Sequence, residues 1–140
     1  MAGALDLKDI LVNMNPVLDG DEYVFCTFPH LSAEALLRLN PISTFQEEEG
    51  VSLIVTREVA DRNGISYDSV FKRITISLHT SLDAVGLTAL LSTALAEKGI
   101  SANVVAAFYH DHIFVPSDKA EVALDALKAL KADLLIPVFS

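Results

Sequence analysis

One short turn, from His79 to Thr88, holds the residues best suited to chemistry. Asp83 can accept an ammonium group, and Gly86, lacking a side chain, lets a ligand reach the main chain. The apolar residues that follow recur at helical spacing, so the turn opens a helix. Its first N–H groups lack partners and carry the positive end of the helix dipole, which suits a carboxylate. An ammonium acceptor beside a carboxylate donor is a clamp for a zwitterion, that is, for an amino acid. An ordinary helix start also describes these residues, with Asp83 as the cap and Gly86 as a packing residue.

Other reactive side chains are less organised. His110 and His112 are two apart, so on a strand they share a face and could chelate zinc or nickel. No spacing fixes a third ligand among His79, His30 or the acids, and polar hairpin residues explain the pair without a metal. Glu47, Glu48 and Glu49 form a charge run of the kind usually solvated at a hairpin tip. Cys26, the single cysteine, lies in the strand-like YVFCTF and reads as a buried, inert thiol. No GxSxG surrounds Ser32, Ser81 or Ser92, and neither a P-loop nor a GxGxxG is present. Accordingly no catalytic residue, metal ligand or cofactor is assigned, and a non-enzymatic chain is expected.

The elements that must position the turn are clearest in the second half. In Arg73–His79, Ile74, Ile76 and Leu78 alternate with Thr75, Ser77 and His79, which predicts a half-buried strand. Leu87, Leu90, Leu91, Ala94 and Leu95 then mark one face of a helix that Gly99 ends in a left-handed turn. Residues 101–108 predict a strand, Tyr109–Asp111 a tip, and His112–Val115 its hairpin partner. Ser117 or Asp118 caps a last helix with Ala120, Ala123, Leu124, Leu127 and Leu130 inside. Residues 134–139 predict a closing strand, pushed to a sheet edge by Pro137. The order is β-α-β-β-α-β.

The first half repeats this order in architecture rather than in sequence. A strand is predicted over 22–28, a helix over 32–39 capped by Ser32, strands over 42–46 and 51–55 around a tip at Glu47–Gly50, and a short helix over 56–64. The strand from Val70 to His79 could close the first unit, open the second or be exchanged between them. The expected division is 1–70, including a short N-terminal helix capped by Asp6, and 71–140. The fold class is α+β: two ferredoxin-like βαββαβ units, antiparallel sheets with helices on one face. Units this small are marginal alone, so side-by-side packing through sheet edges or helices and a homodimer are expected.

Bulk properties narrow the partners. The 140 residues are 51% hydrophobic and carry a formal net charge of −9. Nucleic acid needs a basic footprint, and an anionic membrane surface repels such a chain, so neither is expected as a partner. No apolar run approaches the roughly 18–20 residues of a membrane span. The first residues lack a basic leader, and Asp6 and Asp9 interrupt their apolar run, so no secretory signal is read and a cytoplasmic location is expected.

The stretch from Ser81 to Pro116 resembles the core of an ACT domain. It carries the VGLT turn, a helix ending in EKGI, Asn103 in the next strand, and an aspartate-bearing hairpin before IFVP. Over nearly its whole length the chain is similar to an uncharacterised bacterial family of paired ACT domains. Its first-unit motifs stand here as Tyr23–Thr27, Asn40–Phe45 and Glu47–Gly50. It also resembles the regulatory ACT pairs of aspartokinases and related cytosolic arginine sensors. The resemblance implies an amino acid held at the junction of two units. Asp83, Val85, Gly86 and Leu87 would take its amino and carboxylate groups, and Asn103 and Asp111 would add contacts from neighbouring strands. Thr44 and Phe45 would help to form the side-chain pocket. No attached kinase domain is expected, and a ligand-free protein-interaction module on the same scaffold is the alternative.

Overall fold

The computed structural model of the chain describes Leu11, residues 13–77 and residues 86–135. Contacts divide it into an inner unit, Gly20–Lys72, and an outer unit, Met1–Asp19 with Arg73–Ser140. The chain passes between them within two strands, β1 (Asn15–Phe28) and β4 (Phe71–Ser77).

In the inner unit β1 is followed by α1 (Ala33–Leu39), β2 (Ser43–Glu47), β3 (Gly50–Thr56) and α2 (Arg57–Arg62). The strands lie in the order β2-β3-β1. β3 is antiparallel to both neighbours, with Leu53 opposite Cys26 and Thr44, and Ser52 opposite Thr27 and Phe45. Because opposed residues share a face, Val24, Cys26, Phe28, Val51, Leu53 and Val55 all point one way. The helices cover that face, where Leu39 and Ala60 join the core. Each fully buried Val or Leu there contributes about 1.5–3 kcal/mol.

The predicted helix boundaries hold at the caps. Ser32 Oγ accepts the Ala35 N–H at 3.1 Å, and Asn40, left-handed at φ 43°, ends α1 before Pro41. Thr56 Oγ1 accepts the Val59 N–H at 3.2 Å. α2 stops at a left-handed Gly64, where the Ile65 N–H returns to the Ala60 carbonyl and brings Ile65 onto the core.

The outer unit contains the start of β1, most of β4, α3 (Leu87–Ala96), β5 (Asn103–Ala106), β6 (Asp111–Pro116) and α4 (Ala120–Leu135). Its strand order is β1-β4-β6-β5, with β5 and β6 an antiparallel hairpin. Ile74 and Ile76 of β4, Ile113 and Val115 of β6, Leu87, Leu91 and Leu95 of α3, and Ala123 and Leu127 of α4 form the core. Leu11 and Met14 belong to this core as well, and Leu18 packs against it. The segment before Gly20 therefore packs with the later half of the chain, not with the unit that follows it in sequence. α3 ends as its sequence predicts: Gly99 is left-handed at φ 72°, and the Ile100 N–H bonds the Leu95 carbonyl at 3.0 Å.

The structure corrects several expectations. β1 begins at Asn15 instead of Glu22; Pro16 is buried near its start, where a missing N–H is tolerated. Leu134 and Leu135, expected in a closing strand, continue α4, since no breaker interrupts the Ala-, Leu- and Lys-rich run before Pro137. The rest of that expected strand, 136–139, lies outside the described residues. A 3-10 turn, Ser117–Lys119, leads into α4. The expected N-terminal helix up to residue 10 also lies outside the described residues.

Candidate functional site

The turn singled out in the sequence leads into α3. Gly86 stands immediately before it with φ 93° and ψ −17°, a left-handed conformation that a side chain would strain. Its carbonyl accepts the Leu90 N–H at 3.0 Å, and Gly86 itself has no side chain with which to cap the helix. The N–H groups of Leu87, Thr88 and Ala89 precede the first intrahelical bond, so they form the positive end of α3. Leu87 is buried and anchors this first turn in the outer core. Asp83 and Val85 lie outside the described residues.

Asn103 and Asp111 stand on the neighbouring hairpin. Asn103 is exposed opposite Phe114 and donates from Nδ2 to the Phe114 carbonyl at 3.4 Å, whereas Asp111 is half-buried opposite Ala106. They occupy opposite ends of the ladder, three residue steps or about 10 Å apart along the strands. Thr44 and Phe45 belong to the inner unit. Thr44 pairs with Leu53 and Phe45 with Ser52, so they face opposite sides of the sheet, both exposed.

Strand register also explains the histidines. His112 and Thr75 lie on the face of the outer sheet opposite the helices, where Thr75 Oγ1 and His112 Nδ1 are 3.0 Å apart. The His110 ring stands at 88° to that of His112, with centroids 6.4 Å apart. Among the described residues no three His, Cys, Asp or Glu side chains gather closely enough to hold a metal ion. On β4, beside Thr75, Arg73 donates to Asp19 at 2.7 Å. Burial, then the positive charge of Arg73 and His110, push the His112 imidazole below its ordinary value, and Asp111 opposes them weakly. Because the folded state holds the lower pKa, the unfolded chain binds more protons as pH falls below about 6.5. Stability is therefore expected to drop as pH falls through that value toward the folded pKa. Urea titrations at pH 7.5 and 5.5 should show this loss, and His112→Gln should flatten it.

Two ACT-domain profiles match the sequence, one over residues 2–72 and the other over 68–129. The chain belongs to the ACT-domain family. A Vibrio cholerae protein of unknown function (possible transport protein) is 46% identical, with 89% of this chain and 95% of that one covered and a TM-score of 0.81. The ligand-free regulatory subunit of aspartate kinase from Thermus thermophilus matches at 14% identity, covering 84% and 96% of the two chains, with a TM-score of 0.63. Aspartate kinase from Synechocystis matches at 14% identity and a TM-score of 0.58 over 89% of this chain but only 28% of its own. At such low identity the two kinase chains share the fold with this one. No curated protein matches the sequence.

The α3 turn thus lies in the second ACT match, and the structure adds a polar cluster in the first. An open cleft of about 620 Å³ is lined by Gly20–Glu22 and by residues of Thr56–Arg62. Arg57 bonds Glu22 at 3.1 Å and the Tyr67 hydroxyl at 3.1 Å, and that hydroxyl donates to Asp61 at 2.7 Å. These two partners raise the pKa of Arg57. Arg62 pairs with Glu58 at 3.4 Å. The charged groups here satisfy one another, so the cluster braces α2 against β1 and the following loop. Its local part could have been read from the spacing of Arg57 with Asp61 and of Glu58 with Arg62, four residues apart. The bonds to Glu22 and Tyr67, like Asp19–Arg73 and Thr75–His112, join residues with no periodic relation. Sequence spacing gives no signal for them.

Proposed function

We propose that this pair of ACT domains is a non-catalytic regulatory module that binds a free amino acid at the start of α3 and acts in the cytoplasm as a homodimer. The observation that carries the reading is the N-terminus of α3 opening behind a left-handed Gly86, within a chain matched twice by the ACT family. Three N–H groups and a helix dipole there suit the ligand carboxylate, and Asp83 of the same turn suits its ammonium group. In this reading the sequence repeats 1–70 and 71–140 are the two ACT domains, and Asn103, Asp111, Thr44 and Phe45 contribute further contacts to the ligand. Regulation requires the ligand to favour one arrangement of the module, since equal affinity for two arrangements shifts nothing.

Amide chemical shifts test the site directly. Titrating the labelled chain with amino acids should move the Gly86, Leu87 and Thr88 amides in a saturable way with one of them. Asp83→Ala should weaken that response at least about 10-fold, as expected for a lost charge-assisted contact. A saturable response centred elsewhere would reject the site, and none at millimolar concentrations would reject ligand binding. The second reading, a ligand-free interaction module, draws support from the exposed aromatic residue Phe45 on strand β2.

A further inference from the structure

We infer that Asn63–Gly64 is a site of spontaneous deamidation, and that Arg38 guards it by holding the Asn63 amide away from the Gly64 nitrogen. The site lies within the inner unit and does not depend on amino-acid binding.

Five asparagines occur in the chain, and the residue after each decides what it can do. Asn15 and Asn40 precede Pro16 and Pro41, whose nitrogens carry no hydrogen to lose. Asn13 and Asn103 precede Met14 and Val104, whose β-carbons crowd the nitrogen. Asn63 alone precedes a glycine. Gly64 is exposed, and a β-carbon there would meet nothing within 4 Å, so its main chain is open to approach.

The reaction is intramolecular and needs no co-reactant but water. The deprotonated Gly64 nitrogen attacks Cγ of Asn63, the Cγ–Nδ2 bond breaks, and ammonia leaves as a five-membered succinimide closes. Water then opens the ring at either carbonyl. One opening gives aspartate; the other gives isoaspartate, whose main chain runs through Cγ.

The fold restrains the first step. Asn63 Nδ2 donates to the Val59 carbonyl at 2.8 Å, which draws the amide back over the last turn of α2. Asn63 Oδ1 accepts from Arg38 Nε at 3.3 Å, which ties the same amide to α1. The Gly64 N–H turns instead to the Asp61 carbonyl at 3.3 Å. Ring closure needs Cβ and the Gly64 nitrogen nearly eclipsed about the Asn63 Cα–C bond, and ψ 7° holds them far from that arrangement. The last turn of α2 must therefore open first. It is built to open: α2 has only six residues, Asn63 and Gly64 are exposed, and the tie to α1 is an exposed hydrogen bond.

The product does not restore what is lost. A carboxylate has no donor for the Val59 carbonyl, and it puts negative charge at the C-terminal end of α2, where the helix dipole disfavours it. Isoaspartate also lengthens the main chain by one carbon just before Ile65, whose N–H bonds the Ala60 carbonyl at 2.9 Å. That extra length loosens Ile65 from the inner core.

Peptide mass spectrometry of the full chain, aged at mildly alkaline pH, tests both the site and its guard. The mass gain from amide to acid should map to Asn63 and spare the other asparagines. In urea the rate at Asn63 should rise at least about 10-fold, as for a site gated by local opening. Arg38→Ala should speed the reaction of the folded protein about 3-fold or more, the effect of one lost hydrogen bond, with an unchanged rate in urea and an unchanged circular dichroism spectrum. Gly64→Ala should slow the reaction in urea, because a β-carbon then crowds the nitrogen. No gain at Asn63 in urea, or an equal rate there for Gly64→Ala, would overturn the site. Equal folded-state rates for the native chain and Arg38→Ala, or no acceleration in urea, would overturn the guard.

Discussion

Gly50→Ala is expected to be the most damaging small substitution in the inner unit, costing on the order of 3 kcal/mol or more. Gly50 opens β3 with φ 154°, and a β-carbon built on it would overlap the Phe28 carbonyl oxygen and lie 3.0 Å from the Pro29 Cα. Those neighbours are backbone, so neither can swing aside as a side chain could. Relief requires the end of β1 to part from β3, where Phe28 is opposite Val51. Gly64→Ala and Gly99→Ala provide the contrast. Both positions are left-handed, at φ 66° and 72°, yet a β-carbon there meets nothing within 4 Å. Each should cost only about 1–2 kcal/mol, the backbone preference alone. Urea unfolding followed by circular dichroism separates the cases; equal losses at all three would show that the close approach at Phe28 is not what makes Gly50 necessary.

Leu91→Ala should produce a loss of similar size in the outer unit, about 3–5 kcal/mol, or a fall in melting temperature of roughly 10 °C. Leu91 is 1% exposed on the buried stripe of α3, between Leu87 and Leu95, in the core with Ile74, Ile76, Ile113 and Val115. Truncation leaves a cavity where α3 rests on the sheet. Since the same stripe holds the N-terminus of α3 in place, the variant should also weaken any ligand bound at Gly86. Thr93→Ala, on the exposed side of the helix, should change stability by less than about 0.5 kcal/mol. The Leu91 effect would have to match that of Thr93 for this packing account to fail.

The regular parts of this fold were legible because their residues repeat with the period of the element. Ile74 and Ile76 alternate, Leu87, Leu91 and Leu95 recur every four residues, and both stripes are buried. Caps were legible for the same local reason: Ser32, Gly64 and Gly99 act within a few residues. β1 was foreshortened because Pro16, Asp19 and Gly20 are loop-forming types, while its early residues are held by the outer core through Leu18 and the Asp19–Arg73 bond. Leu134 and Leu135 were misread because a short apolar run has no period that separates a strand from the last turn of a helix. Division of the chain was harder still, since Leu11 and Met14 reach their partners across the whole inner unit.

The candidate site was legible only in part. Gly86 and Leu87 could be placed at a helix start from local pattern, and the ACT resemblance supplied the reason to expect a ligand there. Thr44 and Phe45 came from resemblance alone, and the alternation of β2 sends them to opposite faces. The side-chain network around Arg57 depends on Glu22 and Tyr67 arriving from separate strands and loops, which becomes visible only once the sheet is assembled.

Thermal melting of the native protein against each common amino acid tests the central claim most directly. One amino acid, or a small set of chemically related ones, should raise the melting temperature in a saturable way. The stabilisation should be about 2.7 kcal/mol at one hundred times the dissociation constant. Asp83→Ala should lose that rise while melting normally without ligand. Flat curves for every amino acid at millimolar concentration would contradict the amino-acid-binding account and leave a pair of ACT domains that works through protein contacts alone.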